Sequence, residues 1–314
     1  MAGHLKVLIL SSADSEPNIS TNEKFISRIR DRMSKNVEIE WLNYHQINLE
    51  ISTSGSVVRK TSDLSELKTY DFVFFKSTLR HSEFASIIAR YLKMKNIDFA
   101  CDEVIDHSTS TKLSQLDRIG QEGLSIPRTF YVTRASWHNQ YSKLLDMFGE
   151  KFIFKAIDSF GGDQNYLVHS ASEFKDALNS HEGVEFIAQE FLANDCDYRL
   201  LVLDNEVKLI IKRIGSVDTH LNNTSKGASA ELINTSTFDQ SVLDMAIKSA
   251  NIIKRNISGV DILFELKSNT PYILEVNASP QIGSGAFMEE KVQIFSEFIE
   301  RRVKNQEGSK IYED

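Results

Sequence analysis

The 314-residue sequence has few cysteines and no long apolar segment. Two cysteines, Cys101 and Cys196, are too few for a disulfide framework in a chain of this length, and they favour a reducing compartment. The longest apolar runs, such as residues 7–10 and 72–75, are far shorter than the roughly 20 residues that a membrane helix needs. We therefore predict no membrane-spanning segment.

The sequence also lacks the marks of a secreted or nucleic-acid-binding protein. Its first residues lead directly into a strand-like run, without the apolar core of a signal peptide. With 36 Lys and Arg against 44 Asp and Glu, the net charge is −8, whereas nucleic-acid binding normally needs a basic patch. We expect a cytoplasmic protein without a membrane or nucleic-acid partner. Such an acidic protein would repel phosphates unless its Lys and Arg are concentrated in one place.

The first part of the chain alternates strand and helix patterns, with no GxGxxG after its first strand. This alternation predicts a parallel sheet with helices on its faces, and the missing glycine pattern gives no support for a dinucleotide site of the usual kind. The predicted strands are residues 5–10, 37–42, 71–75 and 97–100, and the predicted helices are residues 22–35 and 84–94.

From about residue 109 the pattern becomes α+β, with hairpin-like strands between helices, and it ends in a polar tail. The predicted helices are residues 111–122, 137–148, 172–178, 238–256 and 287–303. The predicted strands are residues 129–132, 152–157, 166–168, 187–191, 198–203, 207–214, 259–266 and 271–276.

The most informative pattern is a pair of strands near the C-terminus that carries Asp261, Glu275 and Asn277. Glu275 and Asn277 share one face of their strand, and a turn at residues 268–270 would place Asp261 about opposite Asn277. Carboxylate and amide oxygens are hard ligands that suit Mg²⁺. The alternative is a polar stripe that faces solvent on a half-exposed hairpin.

Two further features carry positive charge. Lys155 ends an apolar strand and precedes the glycine-rich residues 159–163, a pattern that can cradle phosphate but is also typical of a simple hairpin turn. Arg199, Lys212 and Arg213 lie on adjacent predicted strands, where the two arginines could face one anion. Ordinary surface ion pairs are the alternative.

The order of these features resembles the ATP-grasp superfamily, and within it the RimK-like branch of carboxylate–amine ligases. The resemblance covers almost the whole chain. It implies an α/β pre-ATP-grasp domain over residues 1–108, followed by two α+β subdomains that form an ATP-grasp fold. The implied subdomains are a lid at residues 109–188 and a metal-binding part at residues 189–303, before the tail at residues 304–314.

The resemblance also implies roles for individual residues. Lys112 and Lys155 would contact the phosphates of ATP, and a flexible loop with Gly161 and Gly162 would close over them. The hinge whose backbone reads adenine would be formed by Gln189, Glu190, Phe191 and Leu192, with Asp197 nearby.

The remaining implied roles concern phosphoryl transfer. Arg199 and Arg213 would bind the transferring phosphoryl group or the acyl-phosphate, and Asn223 matches the asparagine of an Asn-x-x-x-Gly loop. The implied Mg²⁺ ligands are Asp261, Glu275 and Asn277. Two Mg²⁺ ions are expected, with Mn²⁺ as an alternative.

Two loops depart from the family pattern. Gln164 and Asn165 stand where relatives usually carry a second glycine. Ala228 stands where a second glycine follows Gly227, and Lys226 replaces a common arginine. We interpret these changes as an altered loop shape or acceptor pocket.

The reaction implied is amide formation between a carboxylate and an amine through an acyl-phosphate, with release of ADP and phosphate. The substrate would be an amino acid, a peptide or a protein tail. The alternatives are a graspetide-type macrocyclase, a kinase that stops after phosphoryl transfer, and a non-catalytic ATP-binding module. Many relatives form dimers or tetramers, so a homo-oligomer is one expectation.

Overall fold

The structure is a computed structural model in which two compact units are distinguished. The first unit comprises Met1–Thr109, Lys254–Ser258 and Ala278–Asp314, and the second comprises Ser110–Ile253 and Gly259–Asn277. The structure describes residues 4–12, 15–53, 55–78, 81–106, 111–159, 162–215, 229–278 and 280–310.

The first unit is built on a four-stranded parallel sheet in the order β2-β1-β5-β6, which confirms the predicted α/β architecture. Its central strands are buried apart from Lys6 of β1, as expected for largely apolar strands in a sheet that is covered on both faces. The strands are β1 (Leu5–Ser11), β2 (Val37–Asn43), β5 (Phe72–Phe75) and β6 (Asp98–Ala100). The helices are α1 (Glu16–Arg30), α2 (Ser82–Met94) and α7 (Met288–Lys310).

Three features of the first unit differ from the prediction. An antiparallel hairpin, β3 (Ile47–Ser52) with β4 (Gly55–Lys60), was not predicted, because polar residues interrupt its apolar alternation. Helix α1 begins earlier than predicted, with a proline in its first turn, where proline is compatible with a helix. The last helix was predicted to end at residue 303, but the backbone up to Lys310 continues α7.

The second unit contains two antiparallel sheets with helices, as the α+β pattern predicts. The sheet within the predicted lid region, called the lid sheet, has the order β7-β10-β8-β9, and the sheet that carries the metal-ligand candidates Asp261, Glu275 and Asn277, called the metal-strand sheet, has the order β13-β12-β11-β14-β15. The lid strands are β7 (Thr129–Phe130), β8 (Phe152–Ala156), β9 (Asn165–Val168) and β10 (Phe186–Glu190). The other strands are β11 (Asp197–Leu203), β12 (Glu206–Ile214), β13 (Ser229–Ile233), β14 (Ile257–Phe264) and β15 (Pro271–Asn277).

Helices cover these sheets and position their ends. Thr111 caps α3 by accepting a hydrogen bond from the backbone N–H of Ser114, which fixes the helix start next to Lys112. The helices of the unit are α3 (Lys112–Gln121), α4 (Tyr141–Phe148), α5 (Ala171–Asn179) and α6 (Gln240–Ile252). Within the described ranges, no helix combines the length and apolarity needed to cross a bilayer.

An aromatic cluster forms the core of the lid sheet. Phe154 stacks on Phe186 with ring centroids 4.5 Å apart, and it meets Trp137 edge-on at 5.1 Å. All three side chains are fully buried, so the cluster holds β8, which carries Lys155, against β10.

We expect Phe154→Ala to lower the free energy of unfolding by about 3–5 kcal/mol, because it removes a buried ring and leaves a cavity. Urea unfolding followed by tryptophan fluorescence measures the loss, since Trp137 contacts the deleted ring. Ile51→Ala is the control, because Ile51 is 70% exposed and its truncation should change stability by no more than about 0.5 kcal/mol. Equal losses in the two variants would contradict the role assigned to the cluster.

Candidate active site

The strand pair β14–β15 brings Asp261, Glu275 and Asn277 to one face, but in a different register from the one predicted. Asp261 pairs with Glu275, and Asn277 pairs with Gly259. The prediction that Asp261 lies opposite Asn277 was wrong because the turn is centred earlier and a bulge shifts the register after Asp261. The three side chains still converge, since Asn277 Nδ2 lies 3.3 Å from Asp261 Oδ2.

Asp261 is buried at the centre of an ionic cluster. Arg199 donates two hydrogen bonds of 2.7 Å to its two carboxylate oxygens, in the fork geometry that favours arginine. Arg213 approaches the same carboxylate, with Nη2 3.3 Å from Oδ2. The predicted arginine pair therefore does face one anion, and in this structure that anion is Asp261.

Asp197 is the second buried carboxylate of the cluster, and it accepts a 2.6 Å hydrogen bond from Arg213 Nε. Burial raises the pKa of Asp197 despite Arg213. Burial would also raise the pKa of Asp261, but Arg199 and Arg213 outweigh it and hold that pKa below its usual value. Of the two carboxyl groups, Asp197 is therefore the one that takes up a proton first on acidification.

Lys112 and Lys155 form a second, cationic part of the site. Lys112 Nζ donates to the carbonyl of Ser159 and lies 3.6 Å from Glu275 Oε1. Lys155 is 7% exposed, and no hydrogen bond or ion pair joins its ammonium group to any residue that the structure describes. The pKa of Lys155 is lowered to about 8, chiefly because the ammonium group is buried; Glu275 raises this pKa, and Lys112 lowers it.

The four predicted hinge residues lie at the end of β10 and just beyond it. Gln189 is buried and donates to Thr129 Oγ1 at 2.7 Å. Glu190 contacts Arg128 twice, through its backbone N–H at 3.1 Å and its carboxylate at 2.7 Å. These contacts anchor the strand exit to β7 and to the residue before it.

Beyond the end of β10, the last two predicted hinge residues make different kinds of contact. Lys151 Nζ lies 4.2 Å from the centroid of the Phe191 ring, a cation–π contact. Leu192 offers its carbonyl to the side chain of Asn194 at 2.8 Å. Whether this backbone reads adenine stays a prediction.

The glycine-rich turn between β8 and β9 is described only in part. Gly161 and Asn223, both predicted site residues, lie outside the described residues. Gly162 has φ +80°, and Gln164 has φ +53°, which is the left-handed region that favours glycine. Gln164 thus adopts a glycine-like backbone conformation in the segment where relatives usually carry a second glycine, and its carbonyl accepts from Ala156 N–H at 3.0 Å.

The sequence analysis missed two positional features, of which strand alternation could have revealed only the first. Lys212 is next to Arg213 in β12, so the alternation of side chains puts it on the other face and outside the arginine cluster. Gln115 of α3 is buried and accepts a 2.9 Å hydrogen bond from the backbone N–H of Val276, between the two metal-ligand candidates of β15. No sequence signal marks Gln115, because its partner is 161 positions away.

The donor set fits Mg²⁺ in its chemistry. In the described part of the chain, no group of three or more His, Cys, Asp and Glu side chains could hold a metal, so a closed protein cage is absent there. Mg²⁺ does not need one, because it typically takes one or two carboxylates together with substrate phosphates and water. Asp261, Glu275 and the Asn277 amide match that requirement, with Asn277 donating through Nδ2 to the Gly259 carbonyl at 3.2 Å.

Comparisons with known proteins point to one family. Residues 109–301 match the family described as the RimK-like ATP-grasp domain. A probable alpha-L-glutamate ligase of Saccharophagus degradans is 26% identical over 266 residues, which are 82% of this chain and 84% of that protein.

Solved structures show the same fold. The ATP-grasp ligase PsnB, in complex with a phosphomimetic variant of a minimal precursor, Mg and ADP, is 15% identical with a TM-score of 0.68. That match covers 96% of this chain and 99% of PsnB. Macrocyclase MdnC of Microcystis aeruginosa, bound with precursor peptide MdnA, is 13% identical with a TM-score of 0.62, over 95% of this chain and 100% of MdnC.

We expect the affinity for a nucleotide triphosphate to fall as the pH rises through about 8, because Lys155 then loses the proton that attracts phosphate. Above this pH, one linked proton lowers affinity by at most about tenfold per pH unit. Calorimetric titration between pH 7 and 9.5 measures the dependence. Lys155→Arg stays charged and should bind with a flatter profile, and identical profiles for the two proteins would contradict the assignment.

We expect Asp261→Asn to lower the free energy of unfolding by about 3–5 kcal/mol, because it leaves Arg199 and Arg213 buried without their shared carboxylate. Urea unfolding at neutral pH measures the change. Asp146→Ala is the control, since Asp146 is exposed on α4 and forms no ion pair with the described residues. A loss no larger than that of the control would show that the cluster does not stabilise the fold.

Proposed function

The chain belongs to the RimK-like ATP-grasp family, and from this premise we propose that it joins a carboxylate to an amine through an acyl-phosphate. The observation that carries the proposal is the placement of Lys112 and Lys155 beside Glu275, within the same unit as the Asp261 cluster. Lys155 in particular is a buried ammonium group that forms no hydrogen bond or ion pair with the described residues, and a bound phosphate would supply a direct partner.

The balance of charge in the site indicates that a polyanionic ligand would bind together with a metal ion. Four cations, Lys112, Lys155, Arg199 and Arg213, meet three carboxylates of the site, so the charges nearly balance before any ligand binds. A nucleotide triphosphate and a substrate carboxylate add several negative charges. ATP binding therefore requires Mg²⁺, which would be held by Asp261, Glu275 and Asn277 and, when bound, neutralises phosphate charge.

In the proposed reaction, a carboxylate oxygen of the substrate attacks the γ-phosphorus of ATP, and the bond to the ADP oxygen breaks. The amine nitrogen of the second substrate then attacks the carbonyl carbon of the acyl-phosphate. The C–N bond forms, the C–O bond to phosphate breaks, and the amine loses a proton. Little covalent chemistry falls to the protein, which orients the reactants and stabilises charge.

The side chains of the site have separate roles in the proposed reaction. Lys112 and Lys155 hold phosphate oxygens, since both ammonium groups lie close to Glu275 in a buried setting. Arg199 and Arg213 contact the phosphoryl group in transfer, because guanidinium groups bind planar and tetrahedral oxyanions through two parallel hydrogen bonds. Asp197 orients Arg213 through their 2.6 Å hydrogen bond. Two metal ions, and the roles of Gly161 and Asn223, stay predictions.

For the amine substrate we propose an amino acid, with glutamate as the first candidate because curated relatives are named probable alpha-L-glutamate ligases. The carboxylate would come from an amino acid, a peptide or a protein tail. A second candidate function is macrocyclisation of a peptide by side-chain crosslinks. It is favoured by the fold shared with the macrocyclase MdnC and by the altered turn at Gln164.

A substrate screen separates these functions, with ADP release and product mass as readouts. Amine-dependent ADP release with a product that joins two substrates indicates a ligase, and loss of water within one peptide indicates a macrocyclase. ADP release with a stable phosphorylated product indicates a kinase. ATP binding without turnover would contradict any catalytic function and indicate a binding module.

We expect Glu275→Ala to lower ADP release in the presence of both substrates by about a hundred- to thousandfold, because it removes a ligand that positions charge at the phosphates. Steady-state turnover measures the loss. Glu231→Ala is the matched control, since Glu231 is an exposed carboxylate on β13 of the same sheet. Near-wild-type turnover in Glu275→Ala would contradict the proposed site.

A further inference from the structure

A cavity of about 110 Å³ lies in the first unit, at the edge of the parallel sheet where β1 and β5 end. In the sheet, β2 lies on one side of β1 and β5 lies on the other. The order in which strands are added to the sheet therefore reverses at the boundary between β1 and β5, although all the strands are parallel. Crevices at the carboxyl ends of strands at such a reversal are the usual ligand sites of open α/β sheets. The cavity is lined by Thr21, Phe25, Phe74, Lys76 and residues 280–284.

Lys76 brings a positive charge to this cavity, and no described carboxylate is paired with it. Its ammonium group donates to Asn22 Oδ1 at 2.6 Å and lies 5.4 Å from the centroid of the Phe25 ring. No carboxylate among the described residues forms an ion pair with it, and burial lowers its pKa. An ammonium group has three hydrogens to donate, so one amide oxygen does not satisfy it.

A chain of hydrogen bonds fixes the partner of Lys76. Asn22 Nδ2 donates to Ser11 Oγ at 3.2 Å, and Trp41 Nε1 donates to the same oxygen at 2.7 Å. These bonds orient the Asn22 amide with its oxygen towards Lys76. They also connect the ammonium group to the indole of Trp41.

The opposite wall of the cavity is held equally firmly. Lys291 is buried and donates to the carbonyls of Gln281 at 2.8 Å and Ser284 at 2.6 Å. Gly283 packs so closely on Phe25 that an added Cβ would lie 2.6 Å from Cδ2 of the ring. The cavity is thus preformed, with a cation, amide and hydroxyl groups and two aromatic rings around a space of limited size.

We propose that this cavity binds the carboxylate end of an amino-acid-like substrate, with Lys76 as the ligand of the carboxylate and Phe25 and Phe74 against its methylene groups. The choice of substrate class rests on the proposed function, but the cavity and its charge do not. In the sequence, residues 280–284 of the cavity wall follow the candidate metal ligands Glu275 and Asn277 within a few positions.

Titration calorimetry of the full-length protein with L-glutamate, without ATP, tests the proposal. We expect saturable binding, and no binding of the uncharged analogue glutaramide. Lys76→Met should weaken glutamate binding by about ten- to a hundredfold, because a charge-assisted hydrogen bond is lost. Lys76→Arg should restore most of the affinity, and Lys95→Met, at an exposed lysine beyond α2, should leave it unchanged.

A second measurement locates the site. The chain has two tryptophans, so Trp137→Phe leaves Trp41 as the only one, and its emission should change on glutamate binding. Lys76→Gln is used if Lys76→Met does not fold. Absence of saturable glutamate binding, equal affinity in the Lys76 variants, or inorganic phosphate that binds in preference to glutamate would each overturn the proposal.

The outcome is separable from that of the proposed function. Glu275→Ala should abolish ADP release while it leaves glutamate binding at the cavity intact. Lys76→Met should leave MgATP binding unchanged while it weakens glutamate binding. If glutamate binds as expected but ADP release survives Glu275→Ala, the proposed function fails and the cavity assignment stands.

Discussion

The buried carboxylate of Asp261 is the interaction on which the candidate site depends. Isolated in the protein interior it would be costly, but Arg199 and Arg213 surround it and Asn277 donates to it. The same contacts join β11, β12, β14 and β15 through their side chains. Because Asp261 is a candidate metal ligand, we propose that one cluster both stabilises the sheet and assembles charged groups for catalysis.

The distribution of charge resolves the apparent conflict between an acidic protein and phosphate chemistry. The net charge of −8 describes the whole molecule, whereas the field within a site is set by the groups that face it. Lys112 and Lys155 are buried on different elements, the start of α3 and β8, and both lie close to Glu275. Burial makes these few cations more effective than many exposed ones, because water does not screen them.

The first unit also contains a partly buried cation. Lys76 follows the fully buried strand β5 and projects its ammonium group into a preformed cavity, where no described carboxylate neutralises it. A carboxylate ligand would complete its hydrogen bonds at little cost in conformational order, since Asn22, Ser11 and Trp41 already fix the surroundings. An ATP-grasp ligase needs sites for its substrates as well as for its nucleotide, and this cavity would provide one of them.

Sequence patterns were enough to predict most of the helices and strands and the principal charged groups. Apolar runs such as residues 72–75 predicted the buried parallel strands, and the order of Lys155, Arg199, Arg213, Asp261, Glu275 and Asn277 predicted the family. Which of these side chains contact one another depends on the tertiary structure. The register at Asp261 depends on a bulge, the partner of the arginines is a carboxylate on a strand far along the chain, and Gln115 and Lys76 gain their roles from distant residues. Local patterns encode the spacing of side chains within an element, whereas these contacts depend on how separate elements pack, which no local pattern contains.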